Sequence, residues 1–145
     1  PRHRGHETRS VELIARLCQR LPVPRRYQAL AEIVARDHGV AHRAAQLKPG
    51  TVLELLERAD ALRRAERFED FLLACEADAR GRTGLEERPY TQGELLRGAL
   101  AAALAVQRDQ LDGDVTGSEL GAMLRDARLG AINAYLTEQR RQPPP

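Results

Sequence analysis

The residues with the most chemical potential in this chain lie between Cys75 and Tyr90 and read CEADARGRTGLEERPY. Glu76 and Asp78 fall near the end of a helical pattern that runs out at Gly81, and Arg80 and Arg82 flank that glycine. Glu76 and Arg80 are four apart and pair along one helix face. Gly81 or Gly84 supplies the left-handed residue that ends the helix. Two arginines at a helix end present forks that match phosphate oxygens. The plainer alternative is a capped helix end with a solvated salt bridge.

The histidines form two groups, His3 with His6 and His38 with His42. Histidines and aspartates drawn from several helices hold divalent metal, which lowers the pKa of a bound water for phosphoester hydrolysis. The alternative is ordinary surface or capping histidines. Ser10 and Ser118 stand at predicted helix starts, where a hydroxyl caps backbone N–H groups, so no nucleophilic triad and no catalytic residue is assigned. Arginines cluster at Arg63-Arg64-Arg67, Arg80-Arg82-Arg88 and Arg125-Arg128, with Arg63 and Arg67 expected on one helix face. Lys48 is the only lysine, so the positive charge is almost wholly arginine, which suits bidentate phosphate contact and base stacking. A GC-rich coding bias toward Arg and Ala explains the same composition. The net charge of +2 does not by itself indicate nucleic acid. Cys18 and Cys75 lack metal-ligand spacing and are expected as buried free thiols in a reducing compartment.

The elements that must position these groups are helical throughout. Val11, Ile14, Ala15 and Cys18 share a face, which predicts a helix over 7–21. Pro22 and Pro24 break it, and Pro24 opens a second helix presenting Tyr27, Leu30, Ile33 and Val34 and ending near His38-Gly39. A short piece over 41–47 follows. Thr51 with Glu54 forms a capping box for a helix carrying Val52, Leu55, Leu56 and Leu62. Phe68, Phe71, Leu72 and Cys75 mark the next helix, and 82–90 is a loop. Thr91 with Glu94 is a second capping box, opening a helix to about Gln107, and Thr116 with Glu119 is a third. A last helix runs from about Arg128 to Arg140, and the prolines 143–145 fray. Nothing alternates as a strand does, so no sheet is expected, and no apolar run reaches transmembrane length.

The run from Glu76 to Gly84 resembles the E-[AS]-D-x-R-G-R-[TL]-G segment of bacterial tRNA nucleotidyltransferases, the CCA-adding enzymes, in the subgroup that carries an HD domain. Pro1-Arg2-His3-Arg4-Gly5-His6-Glu7 resembles the W-P-x-H-x-G-H-E run that follows the HD doublet there. Val115 to Gly121, then Leu124 and Arg128, resembles the G-x-x-[IL]-G-x-x-L-x-x-x-R pattern of the tail. The three segments occur in the family's order and span nearly all of the chain. The family's G-G-x-V-R-D phosphate loop and D-x-D metal pair have no counterpart. Asp112-Gly113-Asp114 matches D-x-D in letters, but it sits in a polar turn with no glycine-rich loop beside it. The chain begins with proline just past where the doublet should stand, and it is expected to be the C-terminal portion of a longer enzyme.

The resemblance implies an all-α fold: the C-terminal helices of an HD-type domain over 1–62, a helical body over 63–110 and a helical tail over 111–145. It implies a cytoplasmic parent that adds or repairs the 3′-terminal CCA of tRNA with CTP and ATP, which a missing head binds with Mg²⁺. It also implies HD-linked phosphatase, 2′-nucleotidase and 2′,3′-cyclic phosphodiesterase activities at a divalent metal such as Ni²⁺ or Mg²⁺. Carried onto this chain, the metal ligands would be His6 and, more weakly, His38. Asp37-His38 reverses the HD doublet and does not match it. The tRNA acceptor and T arms would meet Arg63, Arg64, Arg67, Arg80, Arg82, Arg125 and Arg128, read by shape and backbone. Neither membrane nor DNA is expected as a partner, and the fragment alone is expected to be inactive. A second expectation of another class is a helical interaction or oligomerisation module, which would expose an apolar stripe where an RNA-binding face would gather its arginines.

Overall fold

A computed structural model describes residues 6–108 and 117–141, with side chains from Thr8 onward. The His3 and His6 side chains, Asp112-Gly113-Asp114, Thr116 and the prolines 143–145 lie outside the described residues. Among the described residues there are six α-helices and no strand: α1 His6–Arg20, α2 Arg25–Ala41, α3 Pro49–Arg58, α4 Ala65–Arg80, α5 Thr91–Leu104 and α6 Gly117–Arg141. A 3₁₀ turn, Ala44–Gln46, joins α2 to α3. The all-α reading holds, because every apolar pattern in the chain has helical period.

The helix starts follow backbone chemistry more than side-chain capping. Pro24 stands at the N-cap of α2, and Pro49 opens α3, where its fixed φ and missing N–H cost nothing. Thr51 therefore lies inside α3, which is capped by Lys48 without a side-chain hydrogen bond. Thr91 is likewise the first residue of α5 behind an N-cap at Tyr90, again without a side-chain hydrogen bond. Neither capping box forms.

The end of α3 also departs from expectation. Ala61 N–H reaches back to Leu56 O at 2.9 Å and Asp60 N–H to Glu57 O at 3.0 Å. These two bonds make a Schellman ending, with Asp60 at φ 55° in the position usually held by glycine. No glycine marks the stop, so the pattern through Leu62 looks helical when it is a turn. The opposite error occurs in α6, which is one continuous helix where two were expected. Arg125 Nε donates to Glu57 at 3.0 Å in its first half, and Ile132 and Leu136 enter the core in its second.

One apolar core joins Ile33 of α2, Val52, Leu53, Leu55 and Leu56 of α3, Phe68, Phe71, Leu72 and Cys75 of α4, Leu96 and Leu100 of α5, and Ile132 and Leu136 of α6. Phe68 and Phe71 stack with ring centroids 5.7 Å apart, and both are fully buried. α1 packs on α2 at the edge of this core. Its expected face (Val11, Ile14, Ala15, Cys18) is half-buried, while Leu13, Leu17 and Leu21 are at least half exposed. α2 and α4 run parallel: Arg67 Nη2 donates to Ala29 O at 3.3 Å near their starts, and His42 meets Asp78 at 2.8 Å near their ends. This pairing positions the site described next.

Candidate functional site

The 76–90 segment gathers against the ends of three helices. Asp78 lies in the last turn of α4, His42 is the C-cap of α2 and Tyr90 is the N-cap of α5. His42 Nε2 is 2.8 Å from Asp78 Oδ2, and His42 Nδ1 is 3.1 Å from the Tyr90 hydroxyl. Burial, foremost, and the neighbouring Cys75, Asp78 and Glu76 push the Tyr90 phenol above its ordinary range, so it stays protonated. Its O–H donates to Nδ1, which leaves the imidazole proton on Nε2 to be donated to Asp78. This tautomer is assigned from the network. The hydrogen bond from His42 in turn holds the Asp78 carboxyl below its ordinary range, against the opposing effect of burial and with smaller help from the Arg82 guanidinium. Gln92 Nε2 adds a bond to His42 O at 3.4 Å.

Both ring nitrogens of His42 are therefore engaged, and the imidazole acts as a brace between elements. Behind it, the Cys75 thiol is pushed up to about 12, first by burial and then by Asp78 and Asp37. A thiol so raised stays neutral and is no nucleophile at physiological pH. Below it, Asp37 is 2% exposed and holds Arg58 by Nη2 at 2.9 Å and Nε at 3.2 Å.

In front of this brace lies a pocket of about 220 Å³, lined by Arg80, Arg82, Arg88, His42, Tyr90 and Gln92 among others, with no carboxylate in its wall. Arg80 pairs with Glu76 at 2.9 Å as the spacing predicted, and Arg82 leans toward Asp78 at 3.6 Å. Gly81 is the C-cap with φ −69°, so it is not the left-handed residue; Gly84, at φ 86°, is. The arrangement can receive an anion among forked donors. It holds no positioned nucleophile or free base.

The structure distributes the other expected residues widely. Arg80, Arg82 and Arg88 come together, whereas Arg63, Arg64 and Arg67 lie at the opposite end of α4. Arg63 precedes that helix, so it does not share a helix face with Arg67. Arg125 is engaged with Glu57 of α3, and Arg128 is half-buried on α6. His38 Nδ1 lies 2.9 Å from Val34 O, and its ring meets the edge of His42 at 5.8 Å. Among the described residues no three metal-ligating side chains converge, so they do not by themselves fit a metal. Sequence reasoning missed the Tyr90–His42–Asp78 brace and the Asp37–Arg58 pair. Their members are 36, 48 and 21 positions apart, and no local pattern signals such contacts.

Over nearly its whole length the chain is about half identical to the C-terminal part of bacterial multifunctional CCA proteins. It is 51% identical over 139 residues to the Multifunctional CCA protein of Thioalkalivibrio sulfidiphilus, covering 95% of this chain and 34% of the relative. It is 52% identical over 141 residues to that of Nitrosococcus oceani, covering 97% and 35%. For the protein of Pseudomonas aeruginosa LESB58 the identity is 50% over 140 residues, covering 96% and 34%. The chain thus spans about a third of the length of the curated relatives it matches. No family model matches it, and no solved structure matches it.

Proposed function

We propose that this chain is a tRNA-docking region of a CCA-adding tRNA nucleotidyltransferase. Residues 1–62 would belong to its HD domain, 63–110 to its body and 111–145 to its tail. The observation that carries the reading is the pocket of Arg80, Arg82 and Arg88 with no carboxylate in its wall, on a chain half identical to proteins named for CCA. Arginine forks on a rigid three-helix junction suit contact with RNA backbone, which needs shape and charge and no base-specific pocket. The Tyr90–His42–Asp78 brace serves by fixing the junction, so the arginines are held before RNA arrives. Nucleotidyl transfer to the tRNA 3′-end from CTP and ATP would be performed by phosphate- and metal-binding residues that this chain does not supply.

The test is binding of labelled tRNA by the 145-residue chain across a salt series. Affinity is expected to fall linearly in log–log form, with a slope of roughly −0.7 to −0.9 per phosphate contacted. Arg82→Gln with Arg88→Gln should weaken binding and flatten the slope. Equal retention at low and high salt, or none at low salt, removes the reading. The chain alone is expected to incorporate neither CTP nor ATP.

One observation favours a second reading, an interaction module. Leu13 and Leu17 of α1 and Leu21 in the turn just after it recur every fourth residue and are 63%, 51% and 50% exposed. Light scattering decides it: self-association at micromolar concentration that Leu13→Ser with Leu17→Ser abolishes, without any tRNA binding, would replace RNA docking by that role.

A further inference from the structure

The large apolar side chains that the core leaves outside are not scattered. Among the described residues these are Leu13, Leu17, Leu21, Tyr27, Leu73 and Leu104. All but Leu104 border one groove of about 430 Å³, floored by α2 and walled by α1 and α4. The floor is a single stripe of α2 at helical spacing: Tyr27, Leu30 and Val34, with Ala31 and Ala35 beside them. Ile14 and Ala74 stand in the two walls. Leu13 and Leu17 are three residues on from Ser10 and Ile14, which both line the groove, so they form its α1 rim. Leu21 continues that rim, its N–H bonding Leu17 O at 3.0 Å. Leu73 adjoins Ala74 on the α4 side. Apolar surface gathered in this way marks an interface.

The chemistry of the groove narrows what can occupy it. Among the described residues no arginine or lysine lines it, and its one carboxylate, Asp78, is at one end, so an RNA backbone does not fit. A second copy does not fit either, because a concave patch is not complementary to itself, as a two-fold contact requires. An apolar trough offers no partners to entering backbone groups, so the occupant must satisfy them internally, as a helix does. From Tyr27 to His38 the floor extends about 17 Å at 1.5 Å per residue, roughly three turns of helix.

The turn after α1 folds that helix back along α2. Ser10, near the start of α1, therefore comes level with His38 near the end of α2 and Asp78 near the end of α4. The groove opens where α1 begins. In the relatives the matched part is C-terminal and about a third of the length, so most of their chain arrives from that side. A segment tethered there reaches the groove at high effective concentration.

We propose that the α1–α2–α4 groove seats an amphipathic helix from the upstream part of a longer protein, its apolar face on Leu30, Ala31, Val34 and Ala35. The proposal rests on this chain being the C-terminal part of a longer CCA protein, and it uses none of the arginines assigned to RNA docking. Asp78 lines the groove and also belongs to the Tyr90–His42–Asp78 brace. One junction therefore holds both the docked helix and the arginine pocket.

The experiment compares amide hydrogen exchange in the full-length parent with that in the 145-residue chain. Exchange over α1 and α2 is expected to be at least about tenfold slower in the parent. Leu13→Ser with Leu17→Ser, and separately Ala31→Glu, should remove that difference and lower the parent's unfolding temperature by roughly 2 to 4 °C or more. The 145-residue chain, whose groove is open to water, should melt unchanged with either variant. Equal exchange in parent and chain overturns the proposal, and that comparison needs no variant to fold. A parent that is dimeric by light scattering, and that the variants make monomeric, gives the groove to a second copy and overturns it as well. A tRNA salt series on the wild-type chain keeps the two proposals apart. Salt-dependent tRNA binding with equal exchange removes the groove and leaves docking. Absent tRNA binding with slowed exchange in the parent removes docking and leaves the groove.

Discussion

The two ends of the parallel α2–α4 pair carry arginine in opposite electrostatic settings. At the C-terminal end, Arg80 and Arg82 lie near the negative pole of α4 and lean on Glu76 and Asp78, and Arg43 Nε donates to Gly39 O of α2 at 3.0 Å. Cations there complement the macrodipole. At the N-terminal end, Arg25, Arg26, Arg64 and Arg67 crowd two positive poles with no side-chain cap. The first arrangement contributes to folding and presents arginines to solvent as well. The second opposes the macrodipole, and it is offset locally: Asp60 holds Arg64 at 3.3 Å, Glu66 stands in the first turn of α4, and Arg26 stacks on Tyr27. The same residue type therefore carries different information depending on which end of a helix it occupies.

The largest effect expected from breaking this comparison lies on the C-terminal side, at the Asp37–Arg58 pair. Arg58→Ala strands a carboxylate that is 2% exposed and should cost about 3 kcal/mol in urea unfolding. Asp37→Asn should cost less, because the Arg58 side chain is 36% exposed and reaches water. A loss under about 1 kcal/mol for Arg58→Ala would show that Asp37 does not depend on this partner.

Gly84→Ala comes next. It forces a side chain onto φ 86° and should destabilise by roughly 1 kcal/mol in thermal melts. Gly81→Ala has ordinary φ, and its cost is set by the fit of a new Cβ 3.1 Å from Ala77 O. A Gly81 variant markedly worse than the Gly84 variant would place the critical turn at the cap itself. Glu76→Ala should cost under about 1 kcal/mol, since the side chains of Glu76 and Arg80 are 28% and 45% exposed. A larger loss by the same melt would mean that the pair holds the junction.

Asp78 sharpens the comparison through pH. His42 holds its folded pKa below the ordinary carboxylate value. Its contribution is therefore whole above the unfolded pKa of about 3.9 and is lost as pH falls through the folded value. Wild type and Asp78→Asn should differ in unfolding temperature near neutrality and converge in acid. A gap that persists at pH about 2 would separate Asp78 from the brace. The smallest effect is on the other side: Arg25→Gln should raise stability by about 0.3 kcal/mol or more, since a cation leaves a positive pole. A stability loss would contradict the claim that these arginines oppose folding.

What the sequence by itself determined is local or recurrent. Helical periodicity placed Phe68, Phe71, Leu72 and Cys75 on one face, which is fully buried, and Val11, Ile14 and Cys18 on another, which is only half-buried, so Cys18 is not the buried thiol expected. The four-residue spacing of Glu76 and Arg80 produced the pair it implies, and the EADARGR run pointed to the relatives the chain matches. Where local signals were ambiguous the reading slipped: Asp60 does a glycine's work at the end of α3, and two expected capping boxes yield to backbone caps. Only the tertiary structure decided that α2 and α4 run parallel. That choice joins His42 to Asp78 and Tyr90 and sets Arg25 beside Arg67. Periodicity says which face of a helix is buried, but helix direction and partner depend on contacts among residues distant in the chain, and no local spacing encodes them.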